Sequence, residues 1–263
     1  MTEYAKKLAL VTGGSSGMGL EYARQLAAKG CDLLLVSNQP KELGEAQASL
    51  AAEFGVDVAV RFQDLATQEA AAELLAFCKD CGLVPDVLVC NAGMFFFKEL
   101  GAADCALAEK MLNLHVATVT KMCLLFGEEM KSRGSGTIII MSSMTAKLPA
   151  PGITVYSATK AYLLSFGKSL WFEMKPYGVT VTTVCPAAVA TQLYRMKPSL
   201  MNLGVKFGVI HTPQWLVRRA LRAAGRGRRV IRPSLMNHYL PPLVALLPAG
   251  LESAIWGKLK KNS

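Results

Sequence analysis

The chain holds 263 residues, 52% of them hydrophobic and 18% charged, with a formal net charge of +10. That length and composition build a substantial packed core, in one large α/β unit or two small domains, and exclude an intrinsically disordered chain. Part of the positive excess gathers at Arg218, Arg219, Arg222, Arg226, Arg228, Arg229 and Arg232; it reads as a solvated helix face and strand rim, or as attraction to an anionic membrane or acidic substrate, while no aromatic-interleaved basic groove marks a nucleic-acid binder.

Apolar runs alternate with helical patterns from end to end. Residues 8–11 form a first apolar run that ends in Thr12-Gly13-Gly14. The pattern predicts a helix over 17–29 closed by Gly30, an apolar run over 33–36, and a helix over 41–54 closed by Gly55. Strand follows over 56–62, helix over 68–81 before Gly82, and strand over 86–90. A long helix is expected over 104–133, a β-branched strand over 137–141, and a helix over 154–175 ended by Pro176. A strand over 179–184, a helix over 213–224 and a short strand over 229–231 complete the series. Short apolar runs separated by helices are the signature of βαβ units whose parallel sheet is covered on both faces. The expected fold is a Rossmann-type, doubly wound α/β sheet of about seven strands with helices on both sides. No repeat or linker divides it, so 1–263 reads as one domain.

The seven cysteines are odd in number, sit mostly in apolar stretches and follow no signal peptide, which favours a reducing cytoplasm. Cys78 and Cys81 form a lone CxxC without the second ligand pair that zinc needs. His115, His211 and His238 are scattered, so no metal site is expected.

The first strand runs into Thr12-Gly13-Gly14-Ser15-Ser16-Gly17-Met18-Gly19. Glycine serves where a backbone turns sharply and a phosphate must come close. A helix starting here aims its unbonded N–H groups at a pyrophosphate. The position after the first strand and at the head of the first helix is that of a dinucleotide site, with a ligand-free βα turn as the plainer alternative. Gly13, Ser15, Ser16, Gly17, Met18 and Gly19 are its candidate cofactor residues.

Tyr156 and Lys160, four residues apart on a predicted helix, share a face. A free phenol, with a pKa of about 10, exchanges protons poorly at neutral pH. A neighbouring ammonium favours the phenolate, which suits general acid/base work. By helix geometry alone, such a pair is usually a surface feature. Ser142 and Ser143 follow the strand at 137–141, at the strand end where such sheets bind ligands.

The turn T-G-x-x-x-G-x-G, the segment Tyr156-Ser157-Ala158-Thr159-Lys160, Ser143 thirteen residues earlier, and Asn91-Ala92-Gly93 after the fourth strand together resemble the short-chain dehydrogenase/reductase family over residues 6–195. The resemblance implies that Tyr156 exchanges the proton and that Lys160 holds the cofactor ribose and tunes it. It selects Ser143 over Ser142 to bind the substrate oxygen, and gives Asn113 a relay water. It also implies that Asn91, Ala92 and Gly93 brace the sheet and border the cofactor, that Asp64 and Leu65 meet the adenine, and that Pro186, Val189 and Thr191 border the nicotinamide. Ala187 departs from the family's glycine after Pro186.

NAD-preferring enzymes carry an acid at the end of the second strand. Val36-Ser37-Asn38-Gln39-Pro40-Lys41 has none before Glu42. NADP(H) is therefore the expected cofactor and NAD the alternative, with Ser37, Asn38 and Lys41 as candidate phosphate ligands; the arginine many NADP-using relatives carry is absent at Asn38. Residues 192–211 correspond to a substrate lid, with Leu193, Tyr194, Met196, Leu200, Met201, Leu203, Val205 and Phe207. These, with Met94, Phe95, Phe96 and Phe97, either pack as core or make the substrate large and apolar. The apolar tail, 240–263, is broken by Pro241, Pro242 and Pro248 too often to span a membrane, leaving an interfacial contact or an oligomer or lid surface. The resemblance implies an NAD(P)-dependent oxidoreductase interconverting a ketone and a secondary alcohol on a lipid-like substrate, a hydroxysteroid or a long-chain 3-keto compound such as 3-ketosphinganine. A 3-oxoacyl-[acyl-carrier-protein] reductase and a non-catalytic nucleotide sensor are the alternatives. A cytoplasmic homodimer or homotetramer built on the two long helices is expected, with the tail as its candidate membrane contact.

Overall fold

The computed structural model describes residues 4–148, 151–187, 189, 210–246, 248, 250 and 251. Seven strands, β1 (Leu8–Thr12), β2 (Asp32–Ser37), β3 (Val58–Phe62), β4 (Val87–Cys90), β5 (Gly136–Met141), β6 (Val179–Val184) and β7 (Val230–Ile231), form one sheet in the order β3-β2-β1-β4-β5-β6-β7. Every pairing is parallel. This is the doubly wound sheet expected from the alternating pattern. Its order reverses between β1 and β4, the point at which such sheets open a crevice beyond their carboxyl ends.

The strands are apolar on both faces because both are covered. Val11, Leu33, Leu35, Val89 and Ile139 pack on the side of α1 (Gly17–Ala27), α2 (Pro40–Phe54) and α7 (Pro213–Gly225). Leu10, Leu34, Leu88, Ile138 and Ile140 pack on the side of α3 (Ala70–Asp80), α5 (Thr118–Ser132) and α6 (Thr154–Met174). Each fully buried side chain of this size is worth about 1.5–3 kcal/mol, and the resulting sheet is a rigid platform for the loops at its carboxyl edge.

Two expectations need correction. The helix read over 104–133 is interrupted: α4 (Cys105–Leu112) is followed by a π turn at Asn113–Ala117, and only then by α5. The wider turn passes the Thr118 N–H to Asn113 O. The first residues of the tail expected over 240–263, read as broken by prolines, continue a helix, α8 (Met236–Ala245), that contains Pro241 and Pro242. Its first turn is held from the side, with Asn237 Nδ2 donating to Cys185 O at 2.7 Å. Arg218, Arg219 and Arg222 project from α7 as a solvated face.

Candidate active site

The glycine turn works by left-handed backbone. Gly13 and Gly17 have φ of 65° and 54°, a region costly for other residues. A Cβ on Gly13 would also lie 3.0 Å from Ala92 Cα. Ser16, which caps α1, makes no side-chain bond to the helix, so the first-turn N–H groups keep their capacity for an anion. Gly19 has another task. It faces the protein, and a Cβ there would fall 1.9 Å from Gly13 O and 2.6 Å from Asn91 Nδ2.

Asn91 and Thr12 tie the ends of β4 and β1 together. Thr12 Oγ1 accepts from the N–H groups of Asn91 (2.9 Å) and Ala92 (3.0 Å), and Asn91 Nδ2 donates to Thr12 O at 3.0 Å. Asn91 Oδ1 is buried without a partner among the described residues, an acceptor left over beside the turn. At the end of β2, Ser37 Oγ lies 2.8 Å from Ser15 Oγ, and Ser15 donates to Gln39 Oε1 at 2.9 Å. Asp64 accepts from Ala66 N at 3.0 Å with one oxygen and meets Lys110 Nζ at 3.2 Å with the other. That pair is exposed and contributes little.

The 3.6-residue period puts Tyr156 and Lys160 on the inner face of α6, where both are buried. Lys160 Nζ donates to Met141 O at 2.9 Å and stands 5.4 Å from the centre of the Tyr156 ring. Burial pushes the Lys160 ammonium down to about 8. Ser142 Oγ donates to Lys160 O at 2.7 Å, so its proton is engaged. Ser143 Oγ accepts from Thr145 N at 3.2 Å, which leaves its proton for an oxygen outside. Met94, Phe95 and Phe96 pack with Met111, Ile153 and Val155 around Tyr156, and the Phe95 ring meets the phenol edge-on at 5.0 Å. Phe97 is exposed.

These residues surround one cleft of about 610 Å³. Gly13, Ser15, Ser16, Gly17, Met18, Ser37, Asn38, Asp64, Leu65, Asn91, Ala92, Gly93, Tyr156, Lys160, Pro186 and Val189 all line it. Gly19, Asn113 and Ser143 are not in its lining: Gly19 packs inward, Asn113 opens the half-buried π turn, and Ser143 caps the turn after β5. Thr191 and nearly all of the expected lid lie outside the described residues. Gln39, Gln63, Lys110, Leu114 and His115 also line the cleft, though sequence reasoning did not single them out for it. For Gln39 a signal existed, two residues past the end of β2. For His115 it was fainter, an imidazole two residues after Asn113 in an apolar helix. The glycine cradle, the uncapped helix start and the unpartnered Asn91 Oδ1 fit a dinucleotide.

The short chain dehydrogenase family profile matches residues 7–200. The chain is 29% identical over 260 residues to the very-long-chain 3-oxoacyl-CoA reductase of Bos taurus, covering 97% of this chain and 78% of the bovine protein. To the protein of that name from Anas platyrhynchos it is 31% identical over 223 residues, covering 82% and 68%. Its fold is similar to that of the short-chain dehydrogenase from Sphingobium yanoikuyae in complex with NADPH, with a TM-score of 0.78, 27% identity, and coverage of 97% and 95%.

Proposed function

The chain belongs to the short-chain dehydrogenase/reductase family of NAD(P)-dependent oxidoreductases, and from that premise we propose that it reduces long-chain, lipid-like ketones, 3-oxoacyl compounds foremost, with NADPH. The observation that carries the reading is the half-buried apolar segment Met94-Phe95-Phe96 beside Tyr156, backed by the buried Met111 and Ile153. A carbonyl within reach of that phenol rests on hydrocarbon, which rewards an acyl chain and penalises a polar substrate. The names of the bovine and duck relatives support the same class.

Bound in the cleft, the nicotinamide supplies the hydride. Tyr156 gives its proton to the substrate oxygen as negative charge develops there. The Ser143 hydroxyl donates to the same oxygen. Lys160, still an ammonium at neutral pH, favours the phenolate left behind and is aimed by Met141 O. Asn113, at the head of the π turn, takes the relay water. Gly13, Ser15, Ser16, Gly17 and Met18 hold the pyrophosphate. The β2 end presents Ser37, Asn38 and Gln39 and no carboxylate, which suits a 2′-phosphate. Asp64 and Leu65 border the adenine, with Pro186 and Val189 at the nicotinamide.

Leu235, Tyr239, Leu243 and Leu246 of α8 and its ends are exposed by 75%, 71%, 61% and 82%, a stripe along one side of the helix. No Asp or Glu occurs between Glu173 and Glu252, a stretch holding eleven Lys and Arg. Apolar side chains set in an acid-free, basic third of the chain suit peripheral contact with an anionic bilayer. No helix among the described residues is long and apolar enough to cross one. Exposed Leu124 on α5 and Phe172 on α6 suit self-association through those helices.

The test is initial-rate kinetics with NADPH on 3-oxoacyl thioesters of increasing chain length, with 3-ketosphinganine, a ketosteroid and a 3-oxoacyl-[acyl-carrier-protein] alongside. The expected result is that kcat/KM climbs with chain length. Preference for the short or carrier-bound chains would overturn it.

A further inference from the structure

His115 is enclosed beside Tyr156, only 1% exposed, and the proposed chemistry leaves it without a task. Its Nε2 accepts the Met94 N–H at 3.0 Å. That nitrogen therefore carries no proton, and the neutral ring holds its proton on Nδ1. Nδ1 lies 3.0 Å from Thr159 Oγ1, and the Thr159 hydroxyl in turn donates to Tyr156 O at 2.7 Å. The two rings, His115 and Tyr156, meet edge-on with centroids 5.8 Å apart. A Cβ on Gly93 would lie 3.1 Å from Nε2, so the loop after β4 is drawn hard against the imidazole. The π turn makes this approach, because it carries His115.

One imidazole thus joins three pieces of the site. These are the segment Met94-Phe95-Phe96 that walls the phenol, the π turn that opens with Asn113, and the helical turn of α6 that carries Tyr156. We propose that His115 is a positioning residue for the reduction, holding the Met94-Phe95-Phe96 wall in register with Tyr156 so that a bound carbonyl meets the phenol. The inference rests on the ketone-reductase reading. Its Met94 N–H and Thr159 contacts touch neither the glycine turn nor the end of β2, the two segments that would hold the cofactor phosphates.

The arrangement needs a neutral ring. A second proton would fall on Nε2 and turn the acceptor of the Met94 N–H into a donor, breaking the link. Burial, with the Lys160 ammonium nearby, already holds His115 well below its ordinary 6.5. The groups that face it are Tyr156 and Lys160 on α6; the loop from Asn91 to Phe97 brings no titratable side chain, and Glu109 and Lys110 stand a turn earlier on α4. In the reducing direction Tyr156 works protonated and Lys160 as the ammonium, so a falling pH leaves both in their working forms, whereas protonation of His115 breaks the Met94 link.

Three variants test this. His115→Gln keeps an amide oxygen and an N–H to replace both bonds without a titrating group. His115→Leu removes both, and Thr159→Val removes only the Nδ1 partner. Ketone kcat/KM, NADPH dissociation constant and Met94 amide exchange are measured for each. The expected result for His115→Leu is a kcat/KM loss of about tenfold to a hundredfold, NADPH binding within about twofold, and faster Met94 exchange. His115→Gln recovers most of the activity and lacks the acid-side decline of the parent, and Thr159→Val falls between. If His115→Leu reduces ketone as well as the parent, or if His115→Gln is as impaired as His115→Leu, the positioning role is wrong. Loss of NADPH binding together with turnover in His115→Leu or Thr159→Val would make the role merely structural and also overturn it. A parent enzyme that reduces no ketone sinks the underlying reading instead, while Met94 exchange still reports whether the bond exists.

Discussion

Replacing Gly19 by alanine isolates what the third glycine of the turn does. Inside an exposed helix, the change would gain about 1 kcal/mol of helix propensity. At Gly19 the new methyl carbon would lie 1.9 Å from Gly13 O and 2.6 Å from Asn91 Nδ2. The first of these is backbone on a turn held by Gly13 N donating to Val36 O at 2.7 Å, so no rotamer change relieves it. Overpacking of this kind costs about 1–3 kcal/mol, or more where nothing yields, and the upper end applies. The net loss is then about 2 kcal/mol, or roughly 4–8 °C in Tm at about 2–4 °C per kcal/mol for a large domain. Gly44, inside α2 with nothing within 4 Å of its virtual Cβ, is the control: Gly44→Ala should gain about 0.5–1 kcal/mol. Thermal melts and NADPH fluorescence titration read both outcomes. Gly19→Ala should also weaken NADPH binding, since Gly13 must move. A Gly19→Ala protein as stable as Gly44→Ala, with unchanged NADPH affinity, would refute the close-approach argument.

Three further outcomes follow from the site. Lys160 is held at about 8 against an ordinary 10.5, so carrying its charge at neutral pH costs the fold about 3 kcal/mol. That cost is fully present below about 8 and disappears as pH rises toward 10.5, where the unfolded chain holds the proton and the folded one has lost it. Lys160→Met should therefore end turnover yet raise stability at pH 7 by about 1–3 kcal/mol in denaturant melts, the orphaned Met141 O offsetting part of the full gain. His115 is depressed below 6.5, so its contribution to stability is complete above that pH and is lost as pH falls toward the folded value; melts of His115→Gln across the same range should lack that acid-side slope. Ser37→Asp puts a carboxylate where the 2′-phosphate is expected and should raise the NADPH KM about tenfold or more while sparing NADH; equal effects on both would remove the β2 end from cofactor choice.

The parallel sheet was legible because its strands are buried on both faces. Leu33, Leu34 and Leu35 in β2, and Ile138, Ile139 and Ile140 in β5, read as unbroken apolar runs between helical periods. The residues of the glycine turn and the Tyr156–Lys160 pair were legible from spacing, since a βα turn and a four-residue helical offset turn sequence distance into spatial distance. The π turn was not, because Asn113–Ala117 shifts one hydrogen bond without changing the apolar pattern on either side. Helix α8 was hidden by Pro241 and Pro242, whose lost N–H bonds normally end a helix; a lateral bond from Asn237 supports it instead. His115 was read as scattered because its partners, the Met94 N–H and the Thr159 hydroxyl, come from segments 21 and 44 residues away. Gly19 is a cofactor candidate by motif, and the 1.9 Å that would separate an added Cβ there from Gly13 O is a packing demand that spacing alone does not reveal.

Removing a single oxygen atom tests the central claim most directly. Tyr156→Phe retains the ring that packs on Phe95 and His115 and deletes the proton donor. The account predicts NADPH affinity within about twofold of the parent and a fall in ketone-reduction kcat of about a hundredfold to ten-thousandfold. A Tyr156→Phe enzyme that binds NADPH and reduces ketone at a rate close to the parent's would contradict it.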